Sequence, residues 1–484
     1  MDQPIWQKRF TKVCFLPMRI VVTTMGFFAL VCAFTNRVSI AFVIIELAVP
    51  KNRTDSKSSG ICPPESDLTK EKMQDRNKQD WSEEHQGFIL GSFFIGYLIA
   101  HVPGGVLSDK FGSKWVLSIS LLLSALCTIF TPVTINLFNQ SSLIIIRILM
   151  GMAQGPLFPA LASLLSHWVP PKERSTLGAL CYSGVSVGIV ASNLGSGFII
   201  HYFTWALCLI IFGAATFCWM IVFILICAST PDKHLCIRKG EKDYLKKHIS
   251  MQTESLTIPW HKILFSKALI ALAISQIGHD WAFCLIVSYL PKYMADVLQF
   301  SILSNGLWTS LPFVALWFSS LICGFLADWL IRTGTMSITV ERKVFTFISA
   351  FGPGAFMVIA SYVECRKSLA VLFFTLSMFM MGPFYAGQKL TPIDMSPTYA
   401  GILTAICNGA GAVSGLLCPS IIGIMTPDRT TGQWRYVFWL SFAISVSSAI
   451  VFALWGSSDL QAYDPRAQRI RRRTKSHIPL DVFA

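Results

Sequence analysis

The sequence predicts an all-α membrane protein whose twelve transmembrane helices form two pseudo-symmetric six-helix bundles. Hydrophobic residues make up 53% of the 484 positions and charged residues only 14%, whereas a soluble protein carries about a quarter of its residues as charges. The apolar residues are also grouped in blocks, and about 20 of them suffice for a helix to cross a hydrocarbon core of about 30 Å. A motif after the second block recurs in shortened form after the eighth, which indicates a duplicated fold.

Twelve apolar blocks divide the chain into predicted spans 1 to 12. They cover about 20–49, 86–106, 115–135, 143–166, 176–199, 205–228, 266–290, 304–327, 343–362, 369–390, 398–424 and 434–456. The predicted organisation is a cytosolic N-terminus (1–19), a first bundle (20–228) with an outer loop at about 50–85, a cytosolic connector (229–265), a second bundle (266–456) and a basic cytosolic tail (457–484). The outer loop and the connector are polar and are predicted to be non-helical.

The distribution of basic residues predicts the orientation. With both termini in the cytosol, the inner segments hold about 24 Lys and Arg and the outer segments about 11, as the positive-inside rule requires. The net charge of +14 therefore reflects topology, and we expect lipid contact but no nucleic-acid partner. Two glycosylation patterns begin at Asn52 and Asn139, although Asn139 lies close to a helix.

The fourteen cysteines do not predict a metal site or another cofactor. Most of them lie inside apolar blocks, and no CxxC pair is present. Cys62 and Cys365 fall in predicted outer loops and could pair. An enzyme is not predicted either, because His101, His167 and His201 lie near predicted span ends without an HExxH or GxSxG context.

The repeated motif lies between spans 2 and 3 as GVLSDKFGSK (105–114), with a partial copy GFLAD at 324–328. Its glycines allow close helix approach, and its aspartate can accept hydrogen bonds at a helix N-terminus. We therefore predict a conformational latch on the cytosolic side. Its members would be Gly105, Asp109, Lys110, Gly112, Lys114 and Asp328.

Charged residues inside the predicted spans mark a candidate anion site. Arg37 lies within span 1 and Arg147 in the outer half of span 4, where a charge costs at least about 2.5–3.5 kcal/mol. Guanidinium groups that face a central cavity would suit carboxylate or phosphate oxygens. His279 and Asp280 lie near the centre of span 7, about 100° apart on the helix, so they need not share one site. We predict substrate binding by Arg37, Arg147 and His279, with Asp280 as a coupling or cavity residue.

Two motifs resemble signatures of the major facilitator superfamily. The first is the segment 105–114, and the second is the pattern Arg147-x3-Gly151-x3-Gly155 in span 4. Further segments resemble solute carrier family 17, the anion:cation symporters, over nearly the whole chain. They are Asn36-Arg37, DWS (80–82), GSFFIGY (91–97), WVPPKER (168–174), DMSPTYAG (394–401) and WRYVF (434–438).

The resemblance implies a transporter for phosphate, glutamate, sialic acid, nucleotides or urate-like anions, and it aligns Arg37 and Arg147 with the family's functional arginines. Gln154 stands where the glutamate and sialic acid carriers have an acidic residue, so it resembles the sodium-dependent phosphate branch. Asn36 and Gln154 join the cavity candidates on these grounds.

The predicted function is cation-coupled symport of a small anion by alternating access, with inorganic phosphate and sodium as the first choice. The alternatives are an organic anion carrier (urate, glutamate, sialic acid or nucleotide) driven by protons or membrane voltage, and, from another class, an anion channel. We expect the protein to act as a monomer in the plasma membrane.

Overall fold

The computed structural model confirms the predicted all-helical membrane architecture. It describes residues 17–47, 83–137, 140–234, 237–249, 258–298, 300, 302–363, 365–426 and 430–467. Within these ranges the regular elements are helices, and twelve of them are long and apolar enough to cross a membrane. Large apolar side chains on the outside of the bundle, among them Leu225, Phe325 and Ile424, are exposed. Such a surface requires an apolar solvent.

The spans have the following bounds. Spans 1 to 6 are formed by Met18–Leu47, Glu83–Phe111, Ser113–Leu137, Gln140–Gln154 with Leu157–Trp168, Arg174–Tyr182 with Gly184–Tyr202, and Trp205–Ile226. Spans 7 to 12 are formed by Lys267–Asp296, Ile302–Arg332, Ile338–Ser361, Lys367–Met381 with three short helices up to Met395, Ala400–Met425, and Thr431–Trp455.

We call the membrane face at which span 1 begins and span 12 ends the terminal side, and the opposite face the far side. Odd-numbered spans begin on the terminal side and even-numbered spans end there. Asn52, Asn139, most of the loop 50–85 and the tail beyond Ala467 lie outside the described residues. Cys365, on the far side, takes part in a disulfide bond; Cys62, its predicted partner, is also outside them.

The connector differs from the prediction, because it contains helices. Lys239–His248 is α-helical and Trp260–Leu264 forms a short helix before span 7. The cause is tertiary: Glu241 accepts hydrogen bonds from the backbone N–H groups of Met18 and Arg19, at 2.8 and 3.0 Å. It thereby satisfies free donors at the start of span 1, and its helix is held against the first bundle.

Spans 4 and 10 are interrupted within the membrane. In span 4 the break follows Gln154 and contains Pro156, which has no N–H to donate. Span 10 breaks at Gly382 and again at Gly387, whose ψ of −103° leaves the helical region. Between these points and Met395 the chain forms short helices, one of them the 3₁₀ segment Gln388–Leu390. Irregular backbone of this kind is tolerated in a membrane only where it is buried in protein or lines a cavity.

The two halves of the chain meet along two pairs of spans. Span 2 packs against span 11, and span 5 packs against span 8, while the second helix of span 4 also reaches span 11. Within the first half, spans 2 and 4 approach so closely that a Cβ atom on Gly96 would overlap the carbonyl of Ile148. A Cβ on Gly151 would likewise overlap the carbonyl of Phe93. These glycines set the aromatic residues of span 2 beside Arg147.

Replacing Gly96 by Val should destabilise the protein, because the added atoms have no room against span 4. Overpacking of this kind typically costs about 1–3 kcal/mol, so we expect a fall of several degrees in the thermal unfolding temperature of the detergent-solubilised protein. Gly91→Ala is the matched control, since a Cβ at Gly91 meets no atom within 4 Å. Equal unfolding temperatures for the two variants would contradict the packing.

Candidate functional site

Arg37 lies in the interior of the molecule within a cage of aromatic rings. Its guanidinium carbon is 4.3 Å from the ring centre of Phe93, 4.8 Å from that of Phe94, 5.3 Å from Phe34 and 5.5 Å from Tyr97. Each ring attracts the positive charge through its π face. The arginine is only partly buried, so the cage holds the guanidinium group without sealing it off.

Arg147 extends the same positive cluster. Its side chain is 4% exposed, and its guanidinium carbon lies 5.1 Å from the ring centre of Phe93. Nη1 donates to the carbonyl of Arg37 at 3.4 Å and contacts the sulfur of Met150 at 3.6 Å, while Nε has no partner among the described residues. Both sequence-predicted arginines therefore lie side by side.

Within the described part of the chain, no carboxylate lies within the 4.0 Å ion-pair distance of Arg37 or Arg147. Among the described carboxylates, Asp280 interacts electrostatically with Arg37 from beyond that distance. Burying an ion costs several kcal/mol unless it is paired and hydrogen-bonded. The two guanidinium groups are thus available to a negatively charged ligand.

His279 and Asp280 leave span 7 in different directions, as their spacing predicts. The imidazole of His279 stacks on Phe384 of span 10, with ring centres 3.3 Å apart, and its Nδ1 has no partner in the described residues. Asp280 accepts a hydrogen bond from Gln276 at 2.9 Å and faces Gly411 of span 11. Both side chains interact with the same positive group, Lys389.

Asn36 and Gln154 face the interior of the first bundle. The amide of Asn36 donates to Thr216 of span 6 at 2.9 Å. Gln154 donates to the carbonyl of Ala33 at 3.1 Å and to Ser124 at 2.8 Å. These contacts join spans 1, 3, 4 and 6, so Gln154 fills the role of a neutral crosslink.

Two buried groups of the centre were missed by sequence reasoning. Lys389 lies on the 3₁₀ segment of span 10; it falls one residue before the end of the predicted block and was not among the candidate residues. His101 was placed near a span end, but the helix of span 2 continues to Phe111 and buries it completely. Lys389 and Arg37 both interact electrostatically with His101. A lysine inside an apolar block between Gly387 and Pro392 was the signal that could have found this position.

Asp109 connects the halves on the terminal side. Its carboxylate accepts from the backbone N–H of Ile402 at 3.2 Å and from that of Gly401, at the N-terminus of the span 11 helix, where negative charge is favoured. Gly105 lies against the carbonyl of Gly401. Gly112 makes the turn into span 3 with a positive φ of 96°.

The lysines of the motif lie apart from this contact. Lys110 is exposed, and the backbone N–H of Lys114 donates to Ser229 at 3.2 Å.

Asp328 makes the equivalent connection in the opposite direction. It accepts from the backbone N–H groups of Ser175 and Thr176, at 3.1 and 2.7 Å, where span 5 begins. Gly324 packs closely against Ala179 of the same helix. Each half therefore offers one aspartate to a helix N-terminus of the other half, and both contacts lie on the terminal side.

A buried ionic network between the two aspartates completes this closure. Asp394 binds Arg174 of the first half at 2.7 Å and Arg342 of the second half at 3.0 Å. Arg342 also pairs with Glu341 and donates to Ser175 at 3.1 Å. Arg174 and Asp394 lie in the segments 168–174 and 394–401, which sequence reasoning used as family markers without assigning them a role.

The chain is similar to known membrane transporters along most of its length. Residues 26–419 match the family model described as Major Facilitator Superfamily. Sialin from Homo sapiens is 35% identical over 447 residues, which cover 92% of this chain and 90% of that protein. A Drosophila melanogaster protein named "Putative inorganic phosphate cotransporter" is 31% identical (92% and 86% covered), and vesicular glutamate transporter 2 from Homo sapiens is 27% identical (93% and 76%).

Solved structures show the same fold. The proton:xylose symporter XylE superposes with a TM-score of 0.66 at 15% identity, covering 92% of this chain and 97% of that one. A bacterial homologue of the human lysosomal transporter Spinster gives a TM-score of 0.57 at 13% identity (90% and 97%).

Replacing Asp109 or Asp328 by Asn should loosen the terminal side. Each change removes the negative charge at a helix N-terminus, an interaction worth about 0.3–2 kcal/mol, so the open population should rise several-fold. The readout is the rate at which N-ethylmaleimide labels Cys407, a buried thiol in span 11, measured for its peptide by mass spectrometry. Asp459→Asn is the control, because Asp459 is exposed on the terminal side and binds only within the second half. Unchanged labelling in both variants would contradict a latch.

Proposed function

The chain belongs to the major facilitator superfamily and, within it, to solute carrier family 17, and on that premise we propose that it carries inorganic phosphate together with sodium. The coarser function follows from membership: it is a multi-pass secondary transporter, and its relatives are transporters rather than enzymes. The substrate and the coupling ion are the proposal.

The observation that carries the proposal is the set of unpaired cations at the centre. Arg37 and Lys389 interact with one described carboxylate, Asp280, which is hydrogen-bonded to Gln276, and Arg147 lies beside Arg37. A formal excess of positive charge in an enclosed site attracts anions. Phosphate is a mixture of monovalent and divalent ions at neutral pH, and its divalent form compensates this excess better than a single carboxylate does.

Sodium coupling is favoured by the position of Gln154. The amide there cannot release a proton, and its hydrogen bonds to Ala33 and Ser124 occupy it fully as a donor. Asp280 is the acid left at the centre of the described residues, and a carboxylate is a hard oxygen ligand that suits a cation such as sodium. Asp280 is therefore the coupling residue of this proposal.

Alternating access fits the way the two halves are joined on the terminal side. The contacts there are two aspartates on helix ends and one ionic network, and polar contacts of this kind can exchange for water when the halves separate. A channel would need an open pore in one state, so we favour a carrier.

The protein is proposed to act as a monomer in the plasma membrane, with its terminal side in the cytosol and lipid around its apolar surface. The excess of lysine and arginine on the terminal side supports this orientation.

A second candidate substrate is an organic carboxylate. Two observations favour it: the aromatic cage around Arg37 offers flat apolar surface to an organic anion, and sialin is 35% identical to this chain. In this alternative, a proton gradient or the membrane voltage drives the transport of the organic anion.

The first test of this function is uptake by purified protein in proteoliposomes. Arg37→Ala should reduce phosphate uptake at least about tenfold, because a charge-assisted hydrogen bond to the anion is worth about 1.5–3 kcal/mol. Arg435→Ala is the matched control: this arginine also lies over an aromatic ring, at 4.1 Å from the ring centre of Tyr362, but at the far end of span 12. Normal phosphate uptake by Arg37→Ala would contradict the assignment of Arg37 to the substrate site.

The second test separates the substrates and driving ions. Vesicles are offered phosphate, sialic acid, glutamate, urate or ATP under an imposed sodium, proton or voltage gradient. We expect sodium-driven phosphate accumulation by the wild type and its loss in Asp280→Asn. Phosphate uptake that does not depend on sodium would contradict the proposed coupling to sodium. Accumulation of sialic acid alone would favour an organic carboxylate as the substrate.

A further inference from the structure

We propose that Lys389, Asn408, Tyr182 and His101 form an oxyanion-binding subsite, here called the lysine subsite, in which Lys389 is the principal ligand of the transported anion. This inference rests on the proposed function and extends it, because it assigns half of the anion contact to the second half of the chain. No sequence motif indicated it.

The ammonium group of Lys389 is enclosed but has few partners. The residue is 7% exposed, and among the described residues its Nζ makes a single hydrogen bond, to Oδ1 of Asn408 at 2.9 Å. An ammonium has three donors, so two remain unused. No described carboxylate lies within ion-pair distance; Asp280 acts on it only from farther away.

Polar groups near Lys389 also lack partners, and each of these side chains can donate a hydrogen bond. Nδ2 of Asn408 is buried without an acceptor, since the amide oxygen is turned to the lysine. The hydroxyl of Tyr182 and both ring nitrogens of His101 are likewise buried and unpartnered within the described residues. Leaving one such group unsatisfied costs about 1–3 kcal/mol. A cluster of unused donors around a cation calls for a ligand rich in acceptors, which describes an oxyanion.

The lysine subsite lies across the boundary between the two halves. Lys389 and Asn408 belong to spans 10 and 11 of the second half. The ring centre of Phe158 in span 4 lies 4.2 Å from Nζ of Lys389, and that of Tyr182 in span 5 lies 5.7 Å from it. Phe384 of span 10 lies at 5.7 Å. The aromatic rings stabilise the cation. An arriving anion would exchange these weak contacts for charge-assisted hydrogen bonds.

Span 10 provides the local structure that this role requires. Lys389 stands on the 3₁₀ segment between the break at Gly387 and the short helix that begins at Thr391, which directs its side chain to the interface. Discontinuous helices are the usual place for substrate groups in transporters. Arg37 lies nearer the far side, so an anion that enters there meets Arg37 first and the lysine subsite deeper in the molecule.

A structural role for the Lys389–Asn408 contact makes the opposite prediction to a ligand role. Asn408→Asp would turn the contact into an ion pair, which would strengthen a purely structural link and leave transport intact. Under our proposal the new carboxylate neutralises the lysine and occupies the place of the anion. Transport and anion binding should then be lost in a well-folded protein.

The experiment compares wild type, Lys389→Met, Lys389→Arg and Asn408→Asp, with Lys262→Met as the control at an exposed lysine of the connector. Uptake of phosphate and of sialic acid is measured in proteoliposomes over a range of concentrations. Stabilisation of the detergent-solubilised protein against heat by each anion gives a binding readout that does not require transport. Size-exclusion profiles monitor folding.

We expect Lys389→Met to raise the KM for the transported anion at least about tenfold, to lose the anion-dependent stabilisation and to retain a monodisperse profile. Lys389→Arg should restore part of the affinity and part of the anion-dependent stabilisation. Asn408→Asp should abolish both transport and this stabilisation. Wild-type affinity in Lys389→Met, or normal transport in Asn408→Asp, overturns the lysine subsite while leaving the proposed function intact. If the wild type transports neither anion, the proposed substrate is wrong. The lysine subsite is then tested by whether Lys389→Met loses the stabilisation against heat that an anion gives the wild type.

Discussion

The constraint on which the rest of the structure depends is the burial of positive charge without matching negative charge. Arg37 and Arg147 lie side by side in the first half and Lys389 lies at the boundary of the two halves, and no described carboxylate pairs with any of them. Aromatic rings compensate in part, at about 0.5–2 kcal/mol for each cation–π contact, whereas burying an ion costs several kcal/mol. The remainder has to come from water or from a ligand. An imbalance of this kind within a membrane is consistent with the proposed binding of an anion at the centre.

The terminal side is organised on the opposite principle. There each charge of the interface has a partner: Asp394 is held by Arg174 and Arg342, and Asp109 and Asp328 each accept from two backbone N–H groups of the other half. Paired charges make this face stable when closed. They are also groups that water can solvate individually, so separation costs less than exposing an apolar surface of equal area would. The positive charges at the centre therefore lack ion-pair partners among the described residues, whereas the charges that close the terminal side are paired through contacts that can open and re-form.

The sequence predicted what depends on local pattern, and it missed what depends on tertiary contact. Apolar blocks were enough for the twelve spans, and the repeat was enough for the duplication. The motif also suggested that Asp109 accepts from a helix N-terminus. It could not say which one, because Ile402 lies 293 residues away. The connector helix was missed since it depends on Glu241 reaching the start of span 1. Lys389 was missed because hydropathy alone cannot tell a broken span from the end of one.

Under the proposed symport, charge balance at the centre indicates how the binding of the anion and of the cation would support each other. Three cationic side chains and one carboxylate leave a formal excess of two positive charges, which opposes the arrival of a further cation at Asp280. A divalent anion removes that opposition, so each ion raises the affinity for the other, and such reciprocity is what thermodynamic linkage requires of a symporter. A monovalent carboxylate would remove only half of the excess and would couple more weakly. The membrane potential acts on the same excess, at about 2.3 kcal/mol per charge per 100 mV, so the empty carrier and the loaded carrier differ in their response to voltage. The number of fixed charges that face the central site therefore affects both which anion is bound most tightly and how the membrane potential acts on its transport.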